Sequence, residues 1–245
     1  MSHQVYRHEL KYLISMQEWA LLRQRLMPLA ERDRNAGPSG EYWIRSLYFD
    51  DYFHTAYNEK ELGVLTRYKY RIRVYNCSDA IIRLERKSKF GQYIHKESAP
   101  LTREQVEAIL DGDYDFLIHS EHNLLREFYF ECTSRLMRPR VIVDYDREPF
   151  IFSAGDVRIT FDKHVRAGFG RFLLFDAELP TVDVVSGNRM ILEVKFTQFL
   201  PTQIRRLLAL RASQLTSASK YVLCCDAAVR EHSNYRVEGI VWKMQ

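Results

Sequence analysis

Polar and apolar residues alternate along two neighbouring stretches of the chain, residues 67–74 and residues 82–89. Successive side chains of a β-strand point to opposite faces, so this alternation predicts two strands, each with a charged face and an apolar face. Turn-forming residues separate the two stretches, and Gly91 precedes a short third run at residues 93–97. The pattern therefore predicts a strand hairpin followed by a third strand. The charged face of its first strand consists of Arg67, Lys69, Arg71 and Arg73.

Further stretches carry a strand pattern, and most of them have ionisable residues at every second position. They are residues 5–14, 44–51, 140–146, 156–162 and 189–196, weaker runs at 172–177 and near Val182, and a final strand that holds Lys220. Connection lengths between these stretches favour antiparallel pairing. The strands therefore predict a sheet with one charged and one apolar face.

Helices are predicted at four places. Two of them begin with a capping box, in which a hydroxyl residue and a residue three positions later bond to each other's backbone: Ser15 with Glu18, and Thr102 with Gln105. The predicted helices span residues 15–30, a short segment that ends at Gly63, residues 102–137 with breaks, and residues 201–212. Helices of this number are sufficient to cover the apolar face of the sheet.

A closed sheet would place the charged faces around a polar interior, as in barrels that are wide enough to hold a ligand. We therefore predict an α+β fold: a closed antiparallel β-barrel tunnel of about eight strands with helices packed outside. No internal repeat or long polar linker interrupts the sequence, so residues 1–245 are predicted to form a single domain.

The charge pattern indicates an anion-binding site. Lys69, Arg71 and Arg73 stand about 7 Å apart along one strand without a carboxylate between them, and such a row becomes favourable when a polyanion lies along it. Residues 67–97 contain nine Lys/Arg and three Asp/Glu, an excess of +6 that exceeds the net charge of +4 of the whole chain. The alternative interpretation of the same alternation is an ordinary solvent-exposed sheet face.

Composition narrows the class of protein. The chain is 46% hydrophobic and 13% aromatic, which is sufficient for a packed core. The four cysteines lack C-x-x-C spacing, and neither a signal peptide nor an apolar run of membrane-spanning length is present, so we predict a cytoplasmic protein without a membrane span. The modest net charge argues against nucleic acid as a partner.

Eight motifs in order resemble a known family. They are RHELKYLIS, SLYFDD, YKYRIRVY, LERKSKFGQYIHKE, RPRVIVDYDREPF, VRITFDKHVR, ILEVKF and SASKY. From about Tyr6 to Cys224 the chain resembles the VTC (vacuolar transporter chaperone) domain, a polyphosphate polymerase of the triphosphate tunnel metalloenzyme superfamily. The resemblance implies transfer of the γ-phosphoryl group of a nucleoside triphosphate, ATP in particular, onto polyphosphate, with Mn²⁺ or Mg²⁺ as cofactor. It also implies that a membrane or transporter protein is a possible partner.

The resemblance implies roles for individual residues. The implied catalytic residues are Lys11, Arg71, Arg73 and Glu193. The implied phosphate contacts are Lys87, Lys96, Arg158, Ser219 and Lys220, to which we add Lys69 and Lys195 because they share strand faces with Arg71 and Glu193. Glu193 is the implied metal ligand, and Glu9 and Glu85 are further candidate metal ligands. Glu9 could instead hold Lys11 in an internal ion pair.

One departure from the superfamily separates the possible activities. Its triphosphatases begin with ExExK, whereas this chain has Arg7 at the first acidic position. A cation there removes a potential metal ligand and adds a potential phosphate contact, which favours holding a polyanion over activating water. The alternatives are a triphosphatase that acts on tripolyphosphate or nucleotides, and a non-catalytic polyphosphate- or nucleotide-binding module. Tyr145 and Arg147 also match the family, and both structural and substrate-contacting roles are open for them.

Overall fold

The computed structural model describes residues 7–91, 93–168, 170–208 and 218–237, the last seven of these by their backbone alone. Seven helices and ten strands lie within them. In chain order they are β1 (His8–Ser15), α1 (Met16–Leu26), β2 (Glu31–Arg32), β3 (Tyr42–Asp50), α2 (Thr55–Glu61), β4 (Thr66–Tyr75), β5 (Ser78–Phe90), β6 (Tyr93–Leu101), α3 (Arg103–Asp111), α4 (Asp115–Ile118), α5 (Asn123–Ser134), β7 (Arg138–Phe152), β8 (Val157–Gly168), β9 (Thr181–Asp183), β10 (Arg189–Phe196), α6 (Thr202–Leu208) and α7 (Lys220–Val237).

All ten strands belong to one antiparallel sheet. The main path runs β1-β10-β8-β7-β3-β4-β5-β6, while β2 pairs with β7 and β9 pairs with β8. The prediction of a closed barrel is wrong: within the described residues, the edge strands β1 and β6 are not paired along their length, and one isolated backbone bridge, between Arg7 and Ile94, joins the two edges. An ion pair of 2.8 Å also reaches across this seam from Glu9 of β1 to Lys87 of β5, the strand next to β6. Side chains therefore hold the edges together where a hydrogen-bond ladder was expected.

Helices cover the apolar outer face of the sheet, as predicted. Tyr70, Ile72 and Val74, from the apolar face of β4, are fully buried in one cluster with residues of α3 and α5, such as Val106 and Phe128. Two further clusters bury residues of α7 and of α1 against other strands. Because the apolar faces are turned outward against helices, the charged faces point into the concave side of the curved sheet.

Local sequence signals account for the helix ends. The Glu18 amide donates to the Ser15 hydroxyl at 3.2 Å and the Ser15 amide donates to the Glu18 carboxylate at 2.8 Å, so the predicted capping box of α1 is confirmed. The capping box of Thr102 and Gln105 at α3 is confirmed as well. Helix α3 ends at Gly112, whose φ of 86° lies in the left-handed region that glycine tolerates.

Two predicted strands are wrong. Residues 172–177 form a loop, because the carbonyl groups of Leu173 and Asp176 accept bonds from the Arg45 guanidinium and are not paired with a strand. Lys220 begins helix α7, whose first turn is closed by a bond of 3.0 Å from the Leu223 amide to the Ser219 carbonyl. The strand near Val182 is confirmed as β9.

Strand β7 is twice as long as predicted. It was expected at residues 140–146 and extends over Arg138–Phe152, with Pro139 and Pro149 inside it. A shift of register between Asp144 and Asp146 marks an irregularity in its pairing with β8. Residues 209–212 of the predicted helix 201–212 lie outside the described residues. None of the helices in the described part of the chain combines the length and the apolar character that a membrane crossing requires.

A fully buried ion pair ties the sheet to the loop that follows β8. Arg45 and Asp144 both have 0% exposed side chains, and the guanidinium donates to both carboxylate oxygens at 2.8 and 2.9 Å. The same guanidinium donates to the Leu173 carbonyl at 3.1 Å. The buried guanidinium of Arg45 therefore donates to a carboxylate and to backbone carbonyls. A buried charge is tolerated when it is paired and hydrogen-bonded in this way.

We expect Asp144→Ala to lower the free energy of unfolding by about 3 kcal/mol or more, because it leaves the Arg45 charge buried without its partner. Urea unfolding followed by circular dichroism measures the change. The control is Glu107→Ala on α3, which removes an exposed i, i+4 pair with Arg103 and should leave the urea midpoint nearly unchanged. Equal shifts for the two variants would contradict the structural role of the buried pair.

Candidate anion-binding cavity

The concave side of the sheet encloses a cavity of about 490 Å³. Eleven lysine and arginine side chains line it, together with two glutamates, and the cations therefore greatly outnumber the carboxylates. The lining cations are Lys11, Lys60, Arg67, Lys69, Arg71, Arg73, Lys87, Lys89, Arg147, Lys195 and Lys220; the glutamates are Glu9 and Glu193. Such a surplus of positive charge in a confined space favours an anionic ligand of high charge.

Strand β4 supplies Arg71 and Arg73 to one wall, and neighbouring side chains hold both in place. Arg71 donates to the Tyr48 hydroxyl at 2.7 Å and to the Glu85 carboxylate at 2.7 Å. Arg73 donates to the Ser46 hydroxyl at 3.2 Å and to the Tyr145 hydroxyl at 3.0 Å. The guanidinium groups are thus oriented before any ligand arrives, which lowers the entropy cost of binding.

The opposite wall is built by β1 and β10, whose antiparallel register places Lys11 beside Glu193 and Glu9 beside Lys195. Glu9 pairs with Lys11 at 3.1 Å and Glu193 pairs with Lys195 at 3.4 Å. Burial would raise the pKa of Glu193, but the surrounding ammonium groups, Lys195 first, hold it well below its usual range. Both carboxylates are therefore ionised, since Lys87 and Lys11 likewise lower the pKa of Glu9 against the effect of burial.

Arg147 connects this wall to the next strand. Its guanidinium donates to both oxygens of Asp162 at 2.7 and 2.8 Å and lies 3.2 Å from Glu193. Lys220 reaches the same Asp162 carboxylate at 2.5 Å from the first turn of α7. The structure therefore gives Arg147 a buried ion pair, which is a structural role, and also places it in the lining of the cavity.

Helix α7 is fixed over the cavity by a buried carboxylate. Asp50 accepts bonds from the Ala56 and Tyr57 amides at the start of α2, at 2.9 and 3.1 Å. It also accepts a bond of 2.5 Å from the hydroxyl of Tyr221, which is 1% exposed. Because Tyr221 follows Lys220 directly, this bond positions the residues at the start of α7 that face the cavity.

Lys69 is a cavity cation whose charge is opposed by its surroundings. Burial, together with the nearby Lys11 and Lys60, lowers its pKa to about 7. Within the described residues, no carboxylate oxygen lies at ion-pair distance from its ammonium group. Its neighbours are the Ser219 hydroxyl at 3.3 Å and the Tyr221 ring, whose centroid lies 4.3 Å from Nζ.

The profile of the VTC domain matches residues 6–229 of the sequence. The chain belongs to the VTC domain family. No curated protein sequence matches it. Among solved structures it resembles a putative adenylyl cyclase from Hippeastrum, described as having a dominant triphosphatase activity, with a TM-score of 0.52 and 14% identity over 91% of this chain and 96% of that chain. A putative adenylate cyclase from Bacillus halodurans gives a TM-score of 0.49 and 11% identity over 99% and 95% of the two chains.

At such low identity the likeness to the Hippeastrum protein shows the fold alone. Together with the family membership it identifies the fold of this VTC domain as the triphosphate-tunnel fold. Ten of the predicted site residues line its cavity. They are Glu9, Lys11, Lys69, Arg71, Arg73, Lys87, Glu193, Lys195, Ser219 and Lys220. The hairpin and the opposite wall are thus brought together, as predicted.

Three predicted site residues do not line the cavity of this VTC domain. Glu85 is 2% exposed and lies behind Arg71, where it also binds Lys96 at 2.8 Å. Lys96 is half exposed on the far side of that carboxylate. Arg158 pairs with Asp33 at 2.5 Å, although it stands opposite the cavity residue Lys195 in the sheet. The alternation along the strands predicted the correct face for these side chains, but it does not predict how far along the strand the cavity extends.

The exposed Arg7 also departs from its expected role. Its guanidinium lies 3.4 Å from Asp156, with both side chains more than half exposed, and it is not among the residues that line the cavity. The arginine at the first acidic position of the motif thus takes the place of a carboxylate without adding a cation to the lining of the cavity.

Sequence reasoning missed several residues of the cavity, among them Lys60, Tyr48 and Tyr221. Lys60 belongs to the short helix α2, where no strand parity applies. Tyr48 does share a strand face with Ser46, so the alternation in β3 was an available signal. Tyr221 was missed because its segment was expected to be a strand and is a helix.

We expect the stability contributed by Lys69 to rise with pH. Its pKa is about 7 in the folded chain and near 10.4 in an unfolded one, so between these values the unfolded state binds more protons. From about pH 6 to about pH 9 the free energy of unfolding of the wild type should rise by about 2 to 3 kcal/mol relative to Lys69→Met. Urea unfolding at several pH values measures it.

The matched control for this titration is Lys69→Arg, which stays charged over the whole range. It should lose stability relative to the wild type as the pH rises, because only the lysine can release its proton. A wild type and a Lys69→Met variant whose stabilities stay parallel over this range would show that Lys69 titrates like an exposed lysine.

Proposed function

We propose that this VTC domain is a metal-dependent phosphotransferase that moves the γ-phosphoryl group of a nucleoside triphosphate, ATP in particular, onto a polyphosphate chain. The observation that carries the proposal is the cavity itself, in which eleven cations and two carboxylates face one another. Both the donor and the acceptor are linear chains of anionic phosphates, so one basic cavity can hold both. We further propose that one domain spans the chain and that it works in the cytoplasm.

The residues divide into two groups by position. Arg71 and Arg73, with fixed guanidinium groups, and Lys11 on the opposite wall would surround the transferred phosphoryl group. Phosphoryl transfer is accelerated chiefly by positioning and by positive charge around the equatorial oxygens, which these groups supply. The remaining phosphates would bind Lys69, Lys87, Lys195, Ser219 and Lys220.

The ionisation of the two glutamates favours transfer to phosphate over hydrolysis. A terminal phosphate of polyphosphate is already anionic and needs no base, whereas water must lose a proton to attack. Glu9 and Glu193 are held as carboxylates by neighbouring lysines, and a carboxylate of lowered pKa is a poor base. These two groups therefore suit the holding of charge better than the activation of water.

The same glutamates fit a divalent cation only in part. Among the described residues no group of three or more His, Cys, Asp or Glu is placed to hold a metal, so the chain does not supply a complete coordination set. One or two carboxylates with phosphate oxygens and water is the usual arrangement for Mg²⁺. Glu193, with Glu9, would hold the ion, which neutralises charge on the phosphoryl oxygens when bound; Glu85 is already bound by Arg71 and Lys96.

Triphosphatase activity is the second candidate function. The Hippeastrum protein, which shares the fold, is described as having a dominant triphosphatase activity. Lys69, with a pKa of about 7, is the group in this cavity that is best suited to take a proton from water. Phosphate release without any longer product would favour this function.

The proposed function is tested by incubating the purified chain with ATP and Mn²⁺ or Mg²⁺, with and without short polyphosphate. We expect polyphosphate chains that lengthen with time on a gel and release of ADP in equal amount to the phosphate incorporated. Release of free phosphate alone, with no chain growth under either metal, would refute the polymerase and leave the triphosphatase.

A pair of matched variants tests whether the cavity is the site. Arg73→Lys keeps the charge but loses the planar guanidinium, and we expect kcat/KM for ATP to fall by about tenfold to a hundredfold. Arg158→Lys makes the same change at a residue outside the cavity and should stay within a few-fold of the wild type. Equal losses in the two variants would contradict the placement, with thermal melting as the check on folding.

A further inference from the structure

The proposed transfer to a phosphate acceptor needs no base, yet the cavity holds a hydroxyl group beside a lysine of low pKa. Ser219 lines the cavity, and its hydroxyl lies 3.3 Å from the ammonium group of Lys69. A serine hydroxyl is a weak nucleophile until a neighbouring base removes its proton. The pair therefore has the arrangement of a nucleophile with its base.

The surroundings of Lys69 keep a large fraction of it neutral near pH 7. It is flanked by Lys87 across the sheet, by Lys60 of α2, by Lys11 of the opposite wall and by Arg67 on its own strand. Helix α7 contributes the Tyr221 ring and Cys225, the latter as a thiol whose pKa is raised by burial to about 11. Repulsion and burial thus favour the free amine, which is the form that accepts a proton.

The position of Ser219 suits the product of phosphorylation. Its carbonyl accepts the first bond of α7, so the residue occupies the N-cap of a helix of 18 residues. A phosphate on its hydroxyl would lie near the free amides of the first turn and near Lys69 and Lys220. The negative charge of the phosphate would thus offset the repulsion that disfavours a charged Lys69 before the reaction.

We propose that Ser219 is phosphorylated by a nucleoside triphosphate bound in the cavity, with Lys69 accepting the hydroxyl proton. The Ser219 oxygen forms a bond to the γ-phosphorus, the bond from that phosphorus to the β,γ-bridging oxygen breaks, and the nucleoside diphosphate leaves. Lys69 then carries the proton as an ammonium ion beside the phosphoserine. This step rests on the proposed binding of the nucleotide in the cavity.

The opposing interpretation is that both residues only hold phosphate oxygens of the ligand. The two interpretations differ in what Lys69→Arg does. Arginine retains the positive charge for binding but does not release its proton at neutral pH, so it cannot act as the base. If Lys69 only binds phosphate oxygens, Lys69→Arg should preserve its role; if Lys69 is the base, the substitution should abolish it.

The experiment incubates the full chain with γ-labelled ATP and Mg²⁺ or Mn²⁺ in the absence of polyphosphate. The protein is then denatured, washed free of ligand and analysed by peptide mass spectrometry. We expect one phosphoryl group on the peptide that contains Ser219 and none after Ser219→Ala. Ser219→Thr, which keeps a hydroxyl, should retain part of the label, and Ser134→Ala, at an exposed serine on α5, should retain all of it.

Lys69→Arg is the deciding variant. We expect its labelling rate to fall about a hundredfold or more, the usual value of a general base, while it still binds inorganic tripolyphosphate through the retained positive charge. Unchanged labelling of Ser219 in this variant would refute the role of Lys69. Label at another residue, or retained label in Ser219→Ala, would refute the site.

The same reactions separate this inference from the proposed function. Chain growth on the gel with no phosphate on Ser219 would overturn the inference and leave the polymerase standing. Phosphate on Ser219 without chain growth would support the inference and refute the polymerase. A folded chain that neither binds tripolyphosphate nor consumes nucleotide would overturn both.

Discussion

The structure depends on the repulsion among like charges that share one cavity. Eleven cations in about 490 Å³ would force the walls apart unless something opposes them. Four buried carboxylates do so, and each is shared between at least two cations: Glu9, Glu85, Asp162 and Glu193. The surplus that remains is the part of the charge that an anionic ligand can neutralise.

The sheet makes this arrangement possible because its strands fix which charges oppose each other. The register of β1 and β10 sets Lys11 beside Glu193, so repulsion within this wall becomes attraction. Helices cover the apolar faces outside and leave the charged faces no position but the concave side. The edge strand β1 is tied to β5, the strand next to the opposite edge, by the ion pair of Glu9 and Lys87, which depends on the same charge balance as the cavity.

The alternation of residues along the strands predicted the walls of the cavity, but it failed where strand stagger or tertiary packing determined the position of a side chain. The alternation in β4 placed Lys69, Arg71 and Arg73 on the correct face because a two-residue period leaves no other choice. It could not tell that Arg158 lies beyond the cavity, since depth depends on how far neighbouring strands are staggered. Lys220 was assigned to a strand, yet it reaches the cavity from a helix, because tertiary packing of α7 decided the local structure.

The cations of the cavity differ in whether their charge can change near neutral pH. Arg71 and Arg147 are bound by carboxylates, so their charge is present at any pH at which the chain is folded. Lys69 relieves the same repulsion by losing its proton. A phosphate bound beside it would raise its pKa again and favour the ammonium form. Its two states would thus follow one another in time: a free amine next to the Ser219 hydroxyl before the phosphate forms there, and a cation that holds the phosphate afterwards.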